Sequence, residues 1–443
     1  MLRKISGAVA FVGLCALSAF FLSCGNSSSR PQGLLYVVSD ASSNVTSYSI
    51  NLNNGNLSLI NYNASTCTNP SGCGLASGLI LDPNRSTAFV LNAGLAGASP
   101  PVPPTIYGYT VNGDGSLSNP TTAATLPTGD TSVAMTANAA GTLYFVIDIG
   151  SNPAPTDCLG TGNNGPDCPS ILVFSASPGS TSMTLTGNNC TVNSTSGPCP
   201  FRLSRIPSAL SVITFTPPAP NNTTETLLFV TSVHDLTSAH NDNELSVYSV
   251  DSSGNLTEQP NSPYTTPPVP RVVMAVNTNA PPQTTGGVFV YAGTQGSVSG
   301  AISGFQVCTE QGQNGCTLPV GSNQLVSVGT PNAAGDDPVA MLVDPTNSFL
   351  YVTSQISNQV LAYGITTDTG TLTPLTPASQ PTGAQPVALA LHPNYNNSAE
   401  FLYVSNYSAN SVTGFTVGVT TGTLTSPTTT LFQEGQPDGM AAK

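Results

Sequence analysis

Pro386-Val387-Ala388-Leu389-Ala390-Leu391, then Phe401-Leu402-Tyr403-Val404-Ser405, then Ser411 to Val417, then Gly422 to Leu431, read as four consecutive β-strands. The first is almost wholly apolar, as a strand covered on both faces must be. It ends at His392-Pro393, since proline cannot continue a hydrogen-bond ladder. Gly422, two residues before Leu424, supplies the positive φ that a tight turn requires before the fourth strand. The same layout occurs just upstream, with strands at Pro338 to Val343, Phe349 to Ser354 and Gln359 to Ile365, and a fourth from Gly370 onward.

Working outward, an aromatic residue inside a short apolar second strand recurs seven times, centred on Tyr36, Phe89, Phe145, Phe229, Phe289, Tyr351 and Tyr403. The centres lie 53, 56, 84, 60, 62 and 52 positions apart, a mean of about 61 that marks a repeated supersecondary unit. The Gly-x-Leu turn recurs with them at Gly55/Leu57, Gly115/Leu117, Gly254/Leu256 and Gly370/Leu372. A unit of this size cannot bury its own apolar face and must stack on its neighbours. Four-stranded units repeated around an axis make a β-propeller, and seven second strands predict seven blades in an all-β chain. The chain enters at Leu34 on a second strand, with no inner strand ahead of it, and Pro437-Asp438-Gly439-Met440-Ala441-Ala442 resembles an inner strand left over. Pairing of this C-terminal strand in the first blade would close the ring and remove its exposed edges.

Composition agrees with this reading. Only 7% of the 443 residues are charged, whereas Gly (42) and Pro (38) are abundant; a hydrophobic fraction of 39% in regular strands argues against disorder. Turn-formers and β-branched residues interrupt every helical period beyond the N-terminus.

Residues 1–23 differ. Arg3 and Lys4 precede an apolar stretch from Ile5 to Leu22, then Ser23, Cys24 and a polar run from Gly25 to Ser29. A basic start, an apolar middle and a small residue before the break predict an export signal. Ser23-Cys24 resembles the lipobox of bacterial lipoproteins, in which the cysteine is acylated and becomes the mature N-terminus; an uncleaved membrane anchor is the alternative. The expected organisation is a signal over 1–23, lipidation at Cys24, a linker over 24–33 and a propeller over 34–443. The expected location is the cell envelope; Gly25 leans it toward the outer membrane or cell surface. Cys15 lies in the signal, and the eight cysteines beyond Cys24 form four local pairs, Cys67/Cys73, Cys158/Cys168, Cys190/Cys199 and Cys308/Cys316. Such pairing predicts disulfides in an oxidising compartment.

After cleavage, six basic residues (Arg30, Arg85, Arg202, Arg205, Arg271 and Lys443) face 21 acidic ones, a formal net charge of −15. That excludes general nucleic-acid binding, which needs a basic footprint. It also leaves the N-terminal lipid as the expected membrane contact.

Leu350-Tyr351-Val352-Thr353-Ser354 with Ser357-Asn358-Gln359-Val360, and Leu402-Tyr403-Val404-Ser405-Asn406 with Ala409-Asn410-Ser411-Val412, resemble the YVTN-type propeller repeat. With the Gly-x-Leu turns, about 400 residues resemble the seven-bladed lactonase family, which includes 6-phosphogluconolactonase-like and muconate-cyclising enzymes. The resemblance implies the family's seven-bladed fold; its catalytic set is not carried over. Family members tend to carry Pro-Arg-His at the start of one inner strand. Here Pro270-Arg271 is followed by Val272, and the corresponding His-rich stretch reads Ser208-Ala209-Leu210-Ser211. A glutamate common in the family after a second strand has no counterpart after Val290.

The strand order predicts that Arg202 and Arg205 lie on the connection from blade three to four, that His234, Asp235, His240 and Asp242 lie in a long loop of blade four, and that Arg271 opens blade five. His234 and Arg271 are the candidate catalytic pair, a general base and a carbonyl or carboxylate clamp. Arg202, Arg205, Asp235 and His240 are candidate ligand contacts; the competing expectation is that each arginine pairs with a nearby acid. His392 is expected to be a turn residue on the opposite rim. Neither His234/His240/Asp242 nor Asp336-Asp337 has a metal-motif spacing, so no metal is assigned, and no cofactor is implied. The expected function is a lipid-anchored binding module for a small anionic ligand or an envelope protein, acting as a monomer. Lactone hydrolysis is the alternative.

Overall fold

The computed structural model describes residues 33–65, 76–94, 102–126, 132–150, 168–187, 189–192, 195–217, 223–235, 243–279, 286–296, 299–309, 316, 323–392, 400–433 and 435–443. The signal over 1–23 and the linker up to residue 32 lie outside them. No helix occurs among the described residues. The strands form seven antiparallel blades, numbered here from the N-terminus, and an added hairpin of Asn189–Val192 with Thr195–Pro198. In blade six the strands run Pro338–Val343, Phe349–Ser354, Gln359–Ile365 and Leu372–Pro381; in blade seven, Pro386–His392, Glu400–Asn406, Ser411–Val417 and Leu424–Leu431. Each inner strand packs beside the inner strands of two neighbouring blades in an unbroken circuit. The fold is a closed seven-bladed β-propeller.

Closure follows the expected route. The C-terminal strand Pro437–Ala442 pairs antiparallel with Leu34–Ser39, completing blade one as its inner strand. Leu34 and Lys443 exchange both backbone hydrogen bonds, at 3.1 and 2.9 Å.

The second strands explain why the ring must close. In Leu34–Ser39 every residue is buried. Strand alternation sends Leu34, Tyr36 and Val38 toward blade two, beside Leu79, Val90 and Tyr107. Leu35 and Val37 face blade seven, beside Phe401 and Tyr403. Seven such apolar clusters fill the seven seams. At four seams a buried tyrosine hydroxyl also donates across: Tyr36 to the Gly115 carbonyl, Tyr291 to Gly370, Tyr351 to Gly422 and Tyr403 to Gly55, at 2.7–3.0 Å. These are the glycines of the Gly-x-Leu turns. At Gly422, where φ is +65°, a Cβ would stand 2.2 Å from the Phe349 ring, so the turn needs glycine for close approach as well as for its backbone.

Register corrects one detail of the repeat. Tyr351 lies three residues before Ser354, the partner of Pro338; Tyr291 lies three before Thr294, the partner of Pro270. The fifth copy therefore centres on Tyr291, two positions past Phe289. A two-residue slip keeps the same side chains on the same face, which is why the apolar pattern could not fix it. His392 departs from expectation as well. It is the last residue of an inner strand and fully buried, with its Nε2 against Gly33.

The motif asparagines latch the seams. Asn358, Asn410 and Asn243 sit at turns with φ of 53°, 47° and 73°. Their Oδ1 atoms accept the N–H of Gln385, Gln436 and Val269, each just before the proline that opens the next inner strand, at 2.7–2.8 Å. Asparagine suits both demands, since it tolerates the left-handed region and carries a short acceptor.

Cys308 and Cys316 form a disulfide, and Cys168 and Cys199 are disulfide-bonded too. Cys67, Cys73 and Cys158 lie outside the described residues, and Cys190 is described by its backbone alone.

Deleting residues 436–443 should abolish cooperative unfolding or lower Tm by roughly 10 °C or more, since it uncovers the edge of blade one and part of the seam with blade seven; calorimetry reads this directly. A second expectation concerns Glu400, 5% exposed at the start of a second strand. Burial first, and then the nearby Asp344 carboxylate, raise its pKa from 4.5 to about 7. A carboxyl with a raised folded pKa favours the folded state below its unfolded value, and that contribution is lost as pH climbs through the folded one. Wild-type Tm should therefore decline from pH 4.5 to 7 relative to Glu400→Gln, leaving the variant several degrees more stable at pH 8.

Candidate functional site

The inner strands begin at one rim, here the upper rim, opposite the ends of the second strands. In all seven blades a β-bulge lies near the start of the inner strand, after its first residue in six blades and after Pro207, the third, in blade four, at Ser77, Val133, Ser208, Arg271, Val339, Val387 and Asp438. A bulge leaves its extra residue outside the ladder and re-aims its side chain. This ring of positions therefore sets the chemistry at the channel mouth. It carries two ionisable residues of opposite sign, Arg271 in blade five and Asp438 in blade one.

Arg271 is partly exposed (side chain 42%) and held by a forked pairing with Asp337 of blade six. Its Nε donates to Oδ1 at 3.0 Å and its Nη2 to Oδ2 at 3.4 Å. Nη1 makes no hydrogen bond to another described residue. The approach to Arg271 is strained: Val269, a β-branched residue, has φ 55° and is fixed there by two bonds, its N–H to Asn243 Oδ1 and its carbonyl from Gln295 N–H. Below Arg271 lies a cavity of about 450 Å³, lined by segments of blades three to six that include Met135, Ser208, Leu210, Met274, Val339 and Met341. Among the described residues lining it, Arg271 is the only ionisable one.

Asp438 occupies a carboxylate-rich corner. Burial and then Asp40 raise its pKa to about 6. The Tyr407 hydroxyl donates to Asp40 Oδ2 at 2.9 Å, and burial, then this bond and the Asp40 charge, push the phenol up to about 12. In the sequence Asp337 is considered only as a metal ligand beside Asp336, not as a partner of Arg271, and Asp438 only as part of the closing strand. The signal for Asp438 was present, because Pro437-Asp438 repeats the pattern of Pro270-Arg271.

The other candidates are distributed differently from expectation. Arg205 is not on a loop. It opens the inner strand Arg205–Phe215 and is 5% exposed. Its Nε meets Glu244 at 2.9 Å, and its Nη1 meets Glu258 at 3.0 Å and Ser246 Oγ at 3.2 Å, inside blade four. Burial opposes its charge, but these two carboxylates and the Tyr248 phenol outweigh that and raise its pKa overall. Arg205 is thus committed to a buried ion cluster. Arg202 sits in the short strand Phe201–Arg202, which pairs with Ser170 and Ile171 of blade three, and its Nη1 donates to the Cys168 carbonyl at 2.9 Å. His234 and Asp235 end a second strand, Glu225–Asp235, and lie opposite Ile206 and Arg205 in register, where a loop was expected. The extra strand length follows from the 11-residue inner strand beside it. His240 and Asp242 lie outside the described residues. Among the described residues no group of three His, Cys, Asp or Glu side chains could hold a metal ion.

No protein-family profile and no curated protein matches this chain. Solved structures do. The periplasmic gluconolactonase PpgL of Pseudomonas aeruginosa superimposes with a TM-score of 0.59 at 14% identity, covering 93% of this chain and 98% of that one. A 6-phosphogluconolactonase candidate of Bacteroides fragilis gives 0.56 at 15% identity, covering 94% and 99%. A protein of Lactobacillus plantarum gives 0.58 at 14%, covering 93% and 99%. The structural neighbours are thus 6-phosphogluconolactonase-like propellers, as the repeat motifs suggested, and what they share with this chain is the fold.

Arg205→Ala should cost about 3–5 kcal/mol of stability, because it strands Glu244 as an uncompensated buried charge. Chemical denaturation measures this. A change within 1 kcal/mol would mean that the cluster does not hold blade four together.

Proposed function

We propose that this chain is an extracytoplasmic propeller, tethered through an acylated Cys24, that binds a small anionic ligand at its upper rim without turning it over. The observation that carries this reading is the cavity beneath Arg271. A pinned guanidinium with Nη1 uncommitted suits one carboxylate, and a concave site in which aliphatic side chains stand beside convergent polar groups suits a small molecule. Lactone hydrolysis needs a base that activates water and donors for the developing oxyanion. Arg271 could serve the second need, but among the described residues no imidazole or carboxylate lines the cavity to serve the first. Lactone hydrolysis is kept as the second reading because the lactonase names of the structural neighbours favour it; His234, at the end of a blade-four strand, would then supply the base. The oxidising, extracytoplasmic location is supported by the Cys308–Cys316 disulfide.

Purified protein should show no lactone turnover above background across five- and six-membered sugar lactones, while small carboxylates raise its Tm. Arg271→Ala should remove that shift and weaken carboxylate binding at least about tenfold, as loss of a charged hydrogen bond does. Lactone turnover that disappears in both Arg271→Ala and His234→Ala would replace the binding reading with the hydrolase.

A further inference from the structure

The wall of the channel narrows the class of ligand. Pairing with the second strands stacks the inner-strand residues in levels below the mouth. The first level is small in six blades, with Gly439, Gly78, Ala134, Ala209, Ala340 and Ala388, and has Val272 in blade five. The next is large and aliphatic, with Met440 opposite Val37, Met135 opposite Val146, Met341 opposite Val352, and leucines at positions 79, 210 and 389. From the mouth down to the ends of the inner strands there is no Asp, Glu, Lys or Arg.

Methionine is scarce in this chain, six in 443 residues, yet four of the six (Met135, Met274, Met341 and Met440) stand on inner strands and line the channel cavities. Each also packs into a seam, Met341 and Met274 between blades five and six, Met440 between blades seven and one and Met135 between blades two and three, so one side chain serves seam and channel at once. Methionine is unbranched and polarizable and adapts to variable apolar shapes, which is its use at binding surfaces. A second cavity, of about 400 Å³, lies among Leu79, Leu342, Leu389 and Met440, with Asp82 and Arg85 beyond the end of the blade-two inner strand also lining it. Met341 and Leu342 are consecutive on one strand and line one cavity each, so the two share a wall in blade six.

The geometry points to an amphipathic monocarboxylate as the ligand class. Its carboxylate meets Nη1 of Arg271 and its aliphatic chain runs down the methionine-lined channel. This deepens the binding reading above and rests on it. A polyhydroxylated acid fits the mouth better than the level of Met135, Leu210 and Met341, whose side chains offer its hydroxyls no partner, and the Ser208 hydroxyl above already donates to Thr231. Asp438 at the same mouth disfavours a second anionic group on the ligand.

Isothermal titration of the purified full chain with butyrate, hexanoate, octanoate and decanoate, beside gluconate and decanol, tests this. Affinity should rise roughly threefold to fourfold per added methylene along the acid series, the increment for burying a methylene, and gluconate should bind far more weakly than decanoate. Arg271→Ala should weaken decanoate at least tenfold and leave decanol within twofold. Met135→Gln with Met341→Gln, which keeps length and adds polarity, should flatten the ladder; if that variant fails to fold, the wild-type ladder alone decides. Gluconate binding that depends on Arg271, with no chain-length ladder, would overturn the ligand class and leave the binding reading standing. No binding by any acid would remove both.

Discussion

The structure depends on strands that are buried from both sides at once. In Leu34–Ser39, and in the second strands of blades two and three, every side chain is buried, with odd and even residues delivered to different neighbours. Burying a side chain of this size contributes about 1.5–3 kcal/mol, and here half of each strand's share comes from the blade before and half from the blade after. A single blade would leave one of those faces in water. Stability therefore belongs to the seams, and a ring of seams must close, which explains why the last six strand residues of the chain return to its first strand.

Closure of that kind demands more than apolar surface. Neighbouring blades must meet at a fixed angle and height, and the polar groups at each seam set this. The buried tyrosine hydroxyl reaches the carbonyl of a glycine turn on one side of the disc, and the asparagine side chain holds the residue before an inner-strand proline on the other. Both devices use backbone in the left-handed region, where glycine and asparagine are least penalised. The YVTN-like motif is accordingly a set of seam fittings. It identifies a propeller because it builds one.

This division explains what could be read from the sequence. Blade number, strand order, the closing strand and the glycine turns all follow from local patterns, and the structure contains each of them. The centre of the fifth repeat did not, since Phe289 and Tyr291 face the same way and only pairing with Pro270–Asn277 separates them. Nor did the fate of the arginines. Arg205 is neutralised by Glu244 and Glu258, far along the chain, and nothing near it in sequence announces that burial. Arg271 is pinned by Asp337 from the next blade, again a contact that exists only once the ring is assembled. In a chain with so few charges, where each cation ends up is decided by tertiary structure.

The same division bears on what structural likeness carries. Seam positions answer to two neighbours and to the closure of the whole ring, so a propeller can keep them in kind while nearly all residues change, as 14% identity over 93% of this chain illustrates. The bulged positions at the mouth answer to neither seam. A bulge takes its residue out of the ladder, so serine, valine, arginine and aspartate are all accommodated there without disturbing the blade behind. The fold therefore constrains the channel wall to be small or aliphatic and leaves its rim free to vary. Chemistry in such a ring has to be argued from the rim, residue by residue. In this chain the rim holds one pinned arginine, one buried-leaning aspartate and hydrophobic or hydroxyl side chains between them, above inner strands that carry no Asp, Glu, Lys or Arg below the mouth.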